Sequence, residues 1–169
     1  MTATLQKPDY RLAQYKALDL LASAGIKLPP VNPIDIAENI LNVPVRFAVF
    51  DQTESERISG FYDSEENAIV VNRDEFPLRQ TFTIAHELGH KILHEDWARS
   101  SEYQVLLRNP QEQSKDFREK EADAFAANLL MPRFMMDEYY EDSPASELSR
   151  LFAVSVPAIR ARLSFLYGI

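Results

Sequence analysis

Apolar and polar positions alternate along the chain in blocks that predict helices at both ends and short strands between them. The first block, Asp9 to Ala24, has helical spacing and is followed by Gly25, which is typical of a left-handed helix cap. A second helix is predicted from Pro33 to about Asn42, with Asn32 as its N-cap. The apolar positions expected to face the core from the first helix are Leu12, Tyr15, Leu18, Leu20 and Leu21.

Three stretches rich in β-branched and aromatic residues, 43–50, 58–62 and 68–72, predict strands. Pro44, near the start of the first, favours an edge position because proline cannot donate to a strand ladder. The other two flank the acidic segment DSEEN, which predicts an antiparallel hairpin. The last of them, Ile69 to Asn72, is expected to offer a strand edge to an extended peptide.

Helical spacing returns in RQTFTIAHELGHKILH, Arg79 to His94, with Pro77 where a helix can begin. This segment contains His86, Glu87 and His90 in an HExxH arrangement. Residues four apart lie on nearly the same side of a helix, so the two imidazoles can bind one metal ion. The intervening glutamate is placed to act on water as a general base. The segment therefore predicts the central helix of a metal-dependent hydrolase.

The third histidine, His94, lies eight residues beyond His86, which is about 12 Å along a helix axis. One ion cannot span that distance, so we expect His94 to support the site or to stabilise an oxyanion rather than bind metal. Tyr103 and the later tyrosines are further oxyanion candidates. Gly89, between the two predicted ligands, indicates close packing because glycine in a helix otherwise costs about 1 kcal/mol.

A polar stretch from Asp96 to Gln113 is expected to be a surface loop bordering the cleft. The helix that follows, from about Gln111 to Leu130, supplies the carboxylates. Glu119 shares a largely apolar helix face and is expected to be the third ligand, with Asp123, one turn on, supporting a ligand histidine. Glu121 projects about 200° away from Glu119 and is the replacement ligand should Glu119 prove to be solvated.

Composition narrows the class of protein. The chain has 169 residues, 46% of them hydrophobic and 26% charged, which predicts one globular domain. We divide it into N-terminal helices (1–42), a catalytic core (43–132) and a C-terminal helical segment (133–169). With no cysteine, a metal site must use nitrogen and oxygen ligands. The absence of a long apolar run or an export leader predicts a cytoplasmic location and no membrane partner.

The last segment, ASELSRLFAVSVPAIRARLSFL, predicts two helices joined like a helix-turn-helix, with Arg160 and Arg162 on the second. A net charge of −8 and so few basic residues make nucleic acid an unlikely partner, so we expect the pair to pack on the core. The alternative is a non-catalytic regulator that binds DNA, or a DNA-binding partner, through these helices.

Two motifs, FTIAHELGHKILH and EKEADAFAANLLMP, together with Gly60-Phe61 and the IVVN of Ile69 to Asn72, resemble the ImmA/IrrE family of bacterial and phage metallopeptidases. The resemblance extends from about Gly60 to Pro132 and implies a thermolysin-like, gluzincin pattern of HExxH plus ExxxD. It also implies cleavage of helix-turn-helix transcriptional repressors inside the cell. Matched residue by residue, the pattern gives metal ligands His86, His90 and Glu119, catalytic base Glu87 and supporting residue Asp123.

The combined expectation is an α+β, zincin-like metallopeptidase domain. It has a small, mostly antiparallel sheet, a helical body and a C-terminal helix-turn-helix-like pair. The expected cofactor is Zn²⁺, with Mn²⁺ or another divalent ion possible, and the expected partner is a protein substrate, a helix-turn-helix repressor.

Overall fold

A computed structural model describes residues 6–51, 58–103 and 116–169 of the protein. The strands are β1 (Val45–Ala48), β2 (Gly60–Asp63) and β3 (Ala68–Asn72). The helices before and at the motif are α1 (Tyr10–Ala24), α2 (Pro33–Asp35), which continues as a π-helical turn (Ile36–Ile40), and α3 (Pro77–Leu93). The later helices are α4 (Glu95–Ala98), α5 (Phe117–Leu130), α6 (Arg133–Tyr139), α7 (Ala145–Phe152) and α8 (Val156–Tyr167). The predicted α+β class is confirmed.

The predicted ends of the first two helices are confirmed. Asp9 caps α1 by accepting a hydrogen bond from the Leu12 N–H, and Gly25 closes the helix with φ of 68°. Asn32 caps α2 in the same way. The prediction of which α1 residues face the core was wrong in part, because Leu12 and Tyr15 are exposed. The buried stripe of α1 consists of Ala13, Ala17, Leu20 and Leu21, and its two alanines let α1 lie close to α5.

The sheet has the order β1-β3-β2. β2 and β3 form the predicted antiparallel hairpin, with Phe61 opposite Val70, and β1 is an edge strand as Pro44 indicated. β1 runs parallel to β3, with Val45 opposite Ile69, so the sheet is mixed rather than mostly antiparallel. β3 is therefore paired on both sides. The expectation that Ile69 to Asn72 offers a free edge was wrong, and among the described strands the free edge beside the hairpin belongs to β2.

The core is built around α5, which packs against α1 on one side and α3 on the other. Asp116 caps its start by accepting from the Arg118 N–H at 2.8 Å. A helix enclosed on two sides needs apolar or small residues nearly all round, and α5 has them. Those buried on α5 include Ala122, Phe125, Ala126, Leu129 and Leu130.

The stretch predicted to be a surface loop is partly structured and buried. It contains α4, and Tyr103 beyond it is 1% exposed. The physical reason is aromatic packing, since Trp97 lies 5.0 Å from the Tyr103 ring and 5.4 Å from the His90 ring, centroid to centroid. The rest of that stretch, 104–113, lies outside the described residues.

The C-terminal pair, α7 and α8, packs on the core as expected. Its strongest tie is Arg162, which is buried and donates to the Met131 carbonyl and the Asn128 side-chain oxygen, both at 2.9 Å. Burial lowers the pKa of Arg162 to about 10. Arg160, two residues earlier, is exposed. None of the described helices is long and apolar enough to cross a membrane.

Candidate metal centre

The HExxH segment lies in α3 and brings His86, Glu87 and His90 together. One nitrogen or oxygen atom from each side chain lies within 4.8 Å of the others. The two imidazole rings stand one helical turn apart, nearly edge to face, with centroids separated by 4.8 Å. The spacing of the motif thus gives the convergence that a single ion requires.

Glu119, at the start of α5, approaches both imidazoles. Its two oxygens lie 2.9 Å from His86 Nε2 and 2.9 Å from His90 Nε2. α5 can come this close because Gly89 has no side chain. A Cβ at that position would lie only 3.1 Å from the Ala122 Cα. The close helix contact predicted from Gly89 is confirmed, and the contact of two small residues is what lets Glu119 reach the histidines.

Burial and the shared carboxylate set the charges of these groups. Burial raises the pKa of Glu119, but its close contacts with His86 and His90 outweigh it and hold that pKa well below its usual range. Burial lowers the pKa of His90 to about 4, although the Glu119 carboxylate beside it opposes the change. His90 is therefore a neutral imidazole beside an ionised carboxylate, which are the forms in which both side chains bind metal.

Glu87 is 5% exposed and is held from behind. The Tyr103 hydroxyl donates to Glu87 Oε2 at 3.2 Å and accepts from the Tyr62 N–H at 2.9 Å. Burial raises the pKa of Glu87 to about 8, with the nearby Glu119 charge adding to the rise and His86 opposing it. Because the Tyr103 hydroxyl is already engaged on both sides, its arrangement favours holding Glu87 over stabilising an oxyanion.

Asp123 supports His86 from the outer side of the site. Its Oδ1 lies 2.8 Å from His86 Nδ1, and its side chain is 61% exposed. Burial lowers the pKa of His86, but hydrogen bonds with Asp123 and Glu119 outweigh it and leave that pKa well above its ordinary value. Asp123 thus lies within hydrogen-bonding distance of His86, and its supporting role stays a prediction.

Glu121, the replacement ligand, is not among the described residues that contact His86 or His90, and it contacts His94 instead. Glu121 is 9% exposed, its Oε2 lies 2.6 Å from His94 Nε2, and its Oε1 accepts from the Asp9 N–H at 2.7 Å. His94 in turn faces His90, Nδ1 to Nδ1, at 3.0 Å. The sequence signal was the lack of a polar face on α5, which indicates a helix buried on more than one side. His94, with both ring nitrogens engaged, supports His90 from behind.

A divalent ion fits this donor set. Two imidazoles, which bind metal in their neutral form, converge with one carboxylate. Catalytic zinc sites have the same kind of ligand set and keep one position for water or substrate. His90 Nε2 is buried and has no hydrogen bond of suitable geometry among the described residues, despite lying 2.9 Å from Glu119. A buried nitrogen lone pair without a donor is what a metal ligand leaves when the ion is set aside.

His86, Glu87 and Glu119 line a cleft of about 1,080 Å³, whereas the buried His90 is absent from the described residues that line it. One wall begins at the N-terminus of α3 with Phe76, Leu78 and Phe82, and the opposite wall includes Val154, Ser155 and Pro157 from the C-terminal pair. Ser59 and Gly60, at the start of β2, also line this space. His94 is absent from the described residues that line it.

Comparisons with known proteins bear on the family to which the chain belongs. A family model described as the IrrE N-terminal-like domain, peptidase M78, matches residues 39–164. The chain is 29% identical to the radiation response metalloprotease IrrE of Deinococcus deserti over 143 residues, covering 78% of this chain and 45% of that protein. The Deinococcus radiodurans protein of the same name is 29% identical over 129 residues, covering 76% and 37%. The chain thus spans less than half the length of these two relatives.

Two further likenesses are more distant. An uncharacterized immunity region protein 2 of Bacillus phage phi105 is 34% identical over 84 residues, covering 48% of this chain and 50% of that one. The fold resembles a Mycobacterium tuberculosis transcriptional regulator with a TM-score of 0.62 at 17% identity, over 91% of this chain and 46% of that one. At that identity the likeness shows the fold alone.

Proposed function

This chain belongs to the IrrE N-terminal-like family, and from that premise we propose that it is a metal-dependent endopeptidase acting on a protein substrate. The observation that carries the proposal is the convergence of His86, His90 and Glu119 beside the buried carboxylate of Glu87. Three nitrogen and oxygen ligands with an adjacent non-ligand carboxylate are the parts that metal-assisted peptide hydrolysis needs.

His86, His90 and Glu119 would hold the ion, which we propose to be Zn²⁺, with Mn²⁺ as a possible substitute. When bound, such an ion supplies Lewis-acid polarisation of a carbonyl and a lowered pKa for water. Glu87, whose ionised form the positive charge of a bound ion would favour, accepts a proton from the attacking water and returns it to the leaving amine. Tyr103 and the Tyr62 backbone hold that carboxylate in place, so its reach does not depend on a mobile side chain.

The outer edge of β2 at Gly60 is the surface on which we place the substrate backbone, since the Tyr62 N–H, further along that edge, already donates to Tyr103. The Ser59 carbonyl accepts from the Asn72 N–H at 2.8 Å, so Ser59 faces β3 and Gly60, the next residue, faces the cleft. Gly60 has to be glycine, since a Cβ there would lie 2.7 Å from the Val70 carbonyl oxygen. An extended peptide pairing with this edge would pass beside the metal ligands.

We further propose that the substrate is a helix-turn-helix repressor and that cleavage relieves repression in a mobile-element or stress-response circuit. The support is the resemblance of the two motifs to ImmA/IrrE peptidases and the names of two relatives, a radiation response metalloprotease and a phage immunity region protein. A cytoplasmic location remains the prediction from the sequence.

The test replaces Glu87 with glutamine. Glu87→Gln keeps the size of the side chain and can accept the Tyr103 hydrogen bond, but it cannot take a proton at neutral pH. Cleavage of a repressor encoded beside this chain, with zinc or manganese added, should fall by about 10² to 10⁴-fold because general base catalysis is lost. Metal content should equal that of the wild type.

The regulator alternative predicts a different result. If Glu87→Gln relieves repression as well as the wild type, function depends on binding and not on hydrolysis. The DNA-binding version of the alternative assigned Arg160 and Arg162 to DNA contacts. Arg162 is buried against Met131 and is therefore not exposed to DNA.

A further inference from the structure

A line of hydrogen bonds connects the start of α1 to the inner metal-binding histidine. The Asp9 N–H donates to Glu121 Oε1 at 2.7 Å, Glu121 Oε2 lies 2.6 Å from His94 Nε2, and His94 Nδ1 lies 3.0 Å from His90 Nδ1. Glu121, His94 and His90 are all buried. Trp97 packs against both rings, at 5.4 and 6.1 Å between centroids, so the line runs through protein interior.

The direction of each hydrogen bond follows from chemistry. A backbone N–H can only donate and an ionised carboxylate can only accept, so both Glu121 oxygens are acceptors and His94 Nε2 carries a hydrogen. In a neutral imidazole the other nitrogen is then an acceptor, so His94 Nδ1 takes its hydrogen bond from His90 Nδ1–H. His90 Nε2 is left as a bare lone pair, and this is the atom that lies 2.9 Å from Glu119.

We propose that Glu121 and His94 are positioning residues that fix His90 in the one neutral tautomer whose Nε2 can bind metal. This inference rests on the proposed metal site. The general reason is that a ligand imidazole is oriented by what its second nitrogen donates to, and loss of that partner typically costs about 10 to 100-fold in metal affinity. Here the partner is itself a histidine, whose own tautomer is set by a carboxylate anchored to a backbone N–H.

The anchor makes an isosteric substitution informative. In Glu121→Gln, the Asp9 N–H still needs an acceptor, so the amide oxygen stays with Asp9 and the amide NH₂ faces His94 Nε2. His94 then becomes the acceptor at Nε2 and the donor at Nδ1. His90 must accept at Nδ1, and its hydrogen moves to Nε2, the atom that should bind the ion. Replacing one carboxylate oxygen of Glu121 by an amide nitrogen is thus expected to exchange donor and acceptor in both of the hydrogen bonds that His94 makes.

The experiment reads tautomers and metal affinity separately. With ¹⁵N-labelled histidine, two-bond ¹⁵N–¹H correlation spectra of the metal-free protein identify the protonated nitrogen of each ring, and the chain has only three histidines to assign. The wild type should show His90 as Nδ1–H and Glu121→Gln should show it as Nε2–H. Zinc affinity, measured by competition with a chelating dye, should fall by about 10 to 100-fold in the variant.

Two further variants keep the result decisive. His94→Phe retains an aromatic ring beside Trp97 but removes the acceptor for His90 Nδ1, so metal-free His90 should populate both tautomers and zinc affinity should fall as in Glu121→Gln. Asp123→Asn, a matched neutralisation on the outer side, should leave His90 as Nδ1–H. Thermal unfolding of each metal-free variant shows whether the fold is retained.

The outcomes separate this inference from the proposed function. In one outcome, both Glu121→Gln and His94→Phe keep His90 wholly as Nδ1–H and bind zinc with wild-type affinity. That result overturns the positioning role while the metal site stands. A wild type with the expected tautomers that binds no divalent ion overturns the proposed function instead. A wild type whose His90 carries its hydrogen on Nε2 overturns the positioning role directly.

Discussion

The two sides of the metal centre are built differently although both pair an imidazole with a carboxylate. On the outer side, His86 meets Asp123 directly, and that carboxylate is largely exposed. On the inner side, His90 meets Glu121 through His94, and every member is buried. The shared Glu119 lies 2.9 Å from both histidines, yet the pKa of His86 is raised and burial lowers that of His90 to about 4.

The difference teaches how a supporting hydrogen bond acquires direction. An exposed partner with a single contact can rotate and adapt to whatever the imidazole requires. A buried partner held at both ends has its donors and acceptors fixed by its other neighbour. The inner side should therefore respond to which atom stands at each position, and the outer side mainly to whether a partner is present at all.

The largest expected effect removes the group that both sides share. Glu119→Ala should lose stoichiometric metal, since it removes the carboxylate whose oxygens lie 2.9 Å from both Nε2 atoms. Glu121→Ala should bind the ion more weakly but still stoichiometrically at saturating concentration. Metal analysis of the purified proteins decides between them. Metal that persists in Glu119→Ala and disappears in Glu121→Ala would show that Glu121 is the ligand.

The next largest effect concerns the C-terminal pair, α7 and α8, which lines one part of the cleft. Arg162→Met leaves the Met131 carbonyl and the Asn128 oxygen without their donor, which should cost about 1–3 kcal/mol in the free energy of unfolding. Urea denaturation measures it. Arg160→Met, on the exposed side of the same helix, is the control and should stay within about 0.5 kcal/mol of the wild type.

The same pair of variants tests whether α8 reads DNA. A packing helix should give no tight binding of random duplex DNA at low salt, where the electrostatic contribution is strongest. Tight binding that disappears in Arg160→Met would contradict the packing role and favour the regulator alternative.

The smallest effect should come from Asp123→Asn. The new amide has a single described contact, so it can turn its oxygen toward His86 Nδ1–H and preserve the tautomer. Zinc affinity should fall less than about tenfold, below the usual range for a lost supporting partner. The loss should shrink further as salt rises, because an exposed charge is screened. An effect equal to that of Glu121→Gln would erase the contrast between the two sides.

The local features of the fold were predicted correctly from the sequence. Helix caps at Asp9 and Asn32, the proline start of α3 and the glycine contact at Gly89 depend on neighbours in the chain or on a single close approach. The convergence of His86 and His90 follows from helix geometry alone. That these residues bind metal and that Glu87 is the base stay predictions.

Features set by distant contacts were harder to predict. The position of β3 between β1 and β2 depends on where the chain returns after the first strand, which strand propensity does not encode. No partner was predicted for Glu121, because the packing of α1 against α5 joins distant parts of the chain. The partner of Glu121 is a backbone N–H, and backbone groups leave no mark on a side-chain pattern.

The contact between Asp9 and Glu121 also has a consequence for how the protein is made. It joins positions 112 residues apart, so it closes a long loop and belongs to the slow, non-local part of folding. During synthesis residue 9 leaves the ribosome well before residue 121, and His86 and His90 emerge in between. A nascent chain therefore exposes both imidazoles before the carboxylates that orient them exist, and selection of the metal-binding tautomer awaits completion of α5.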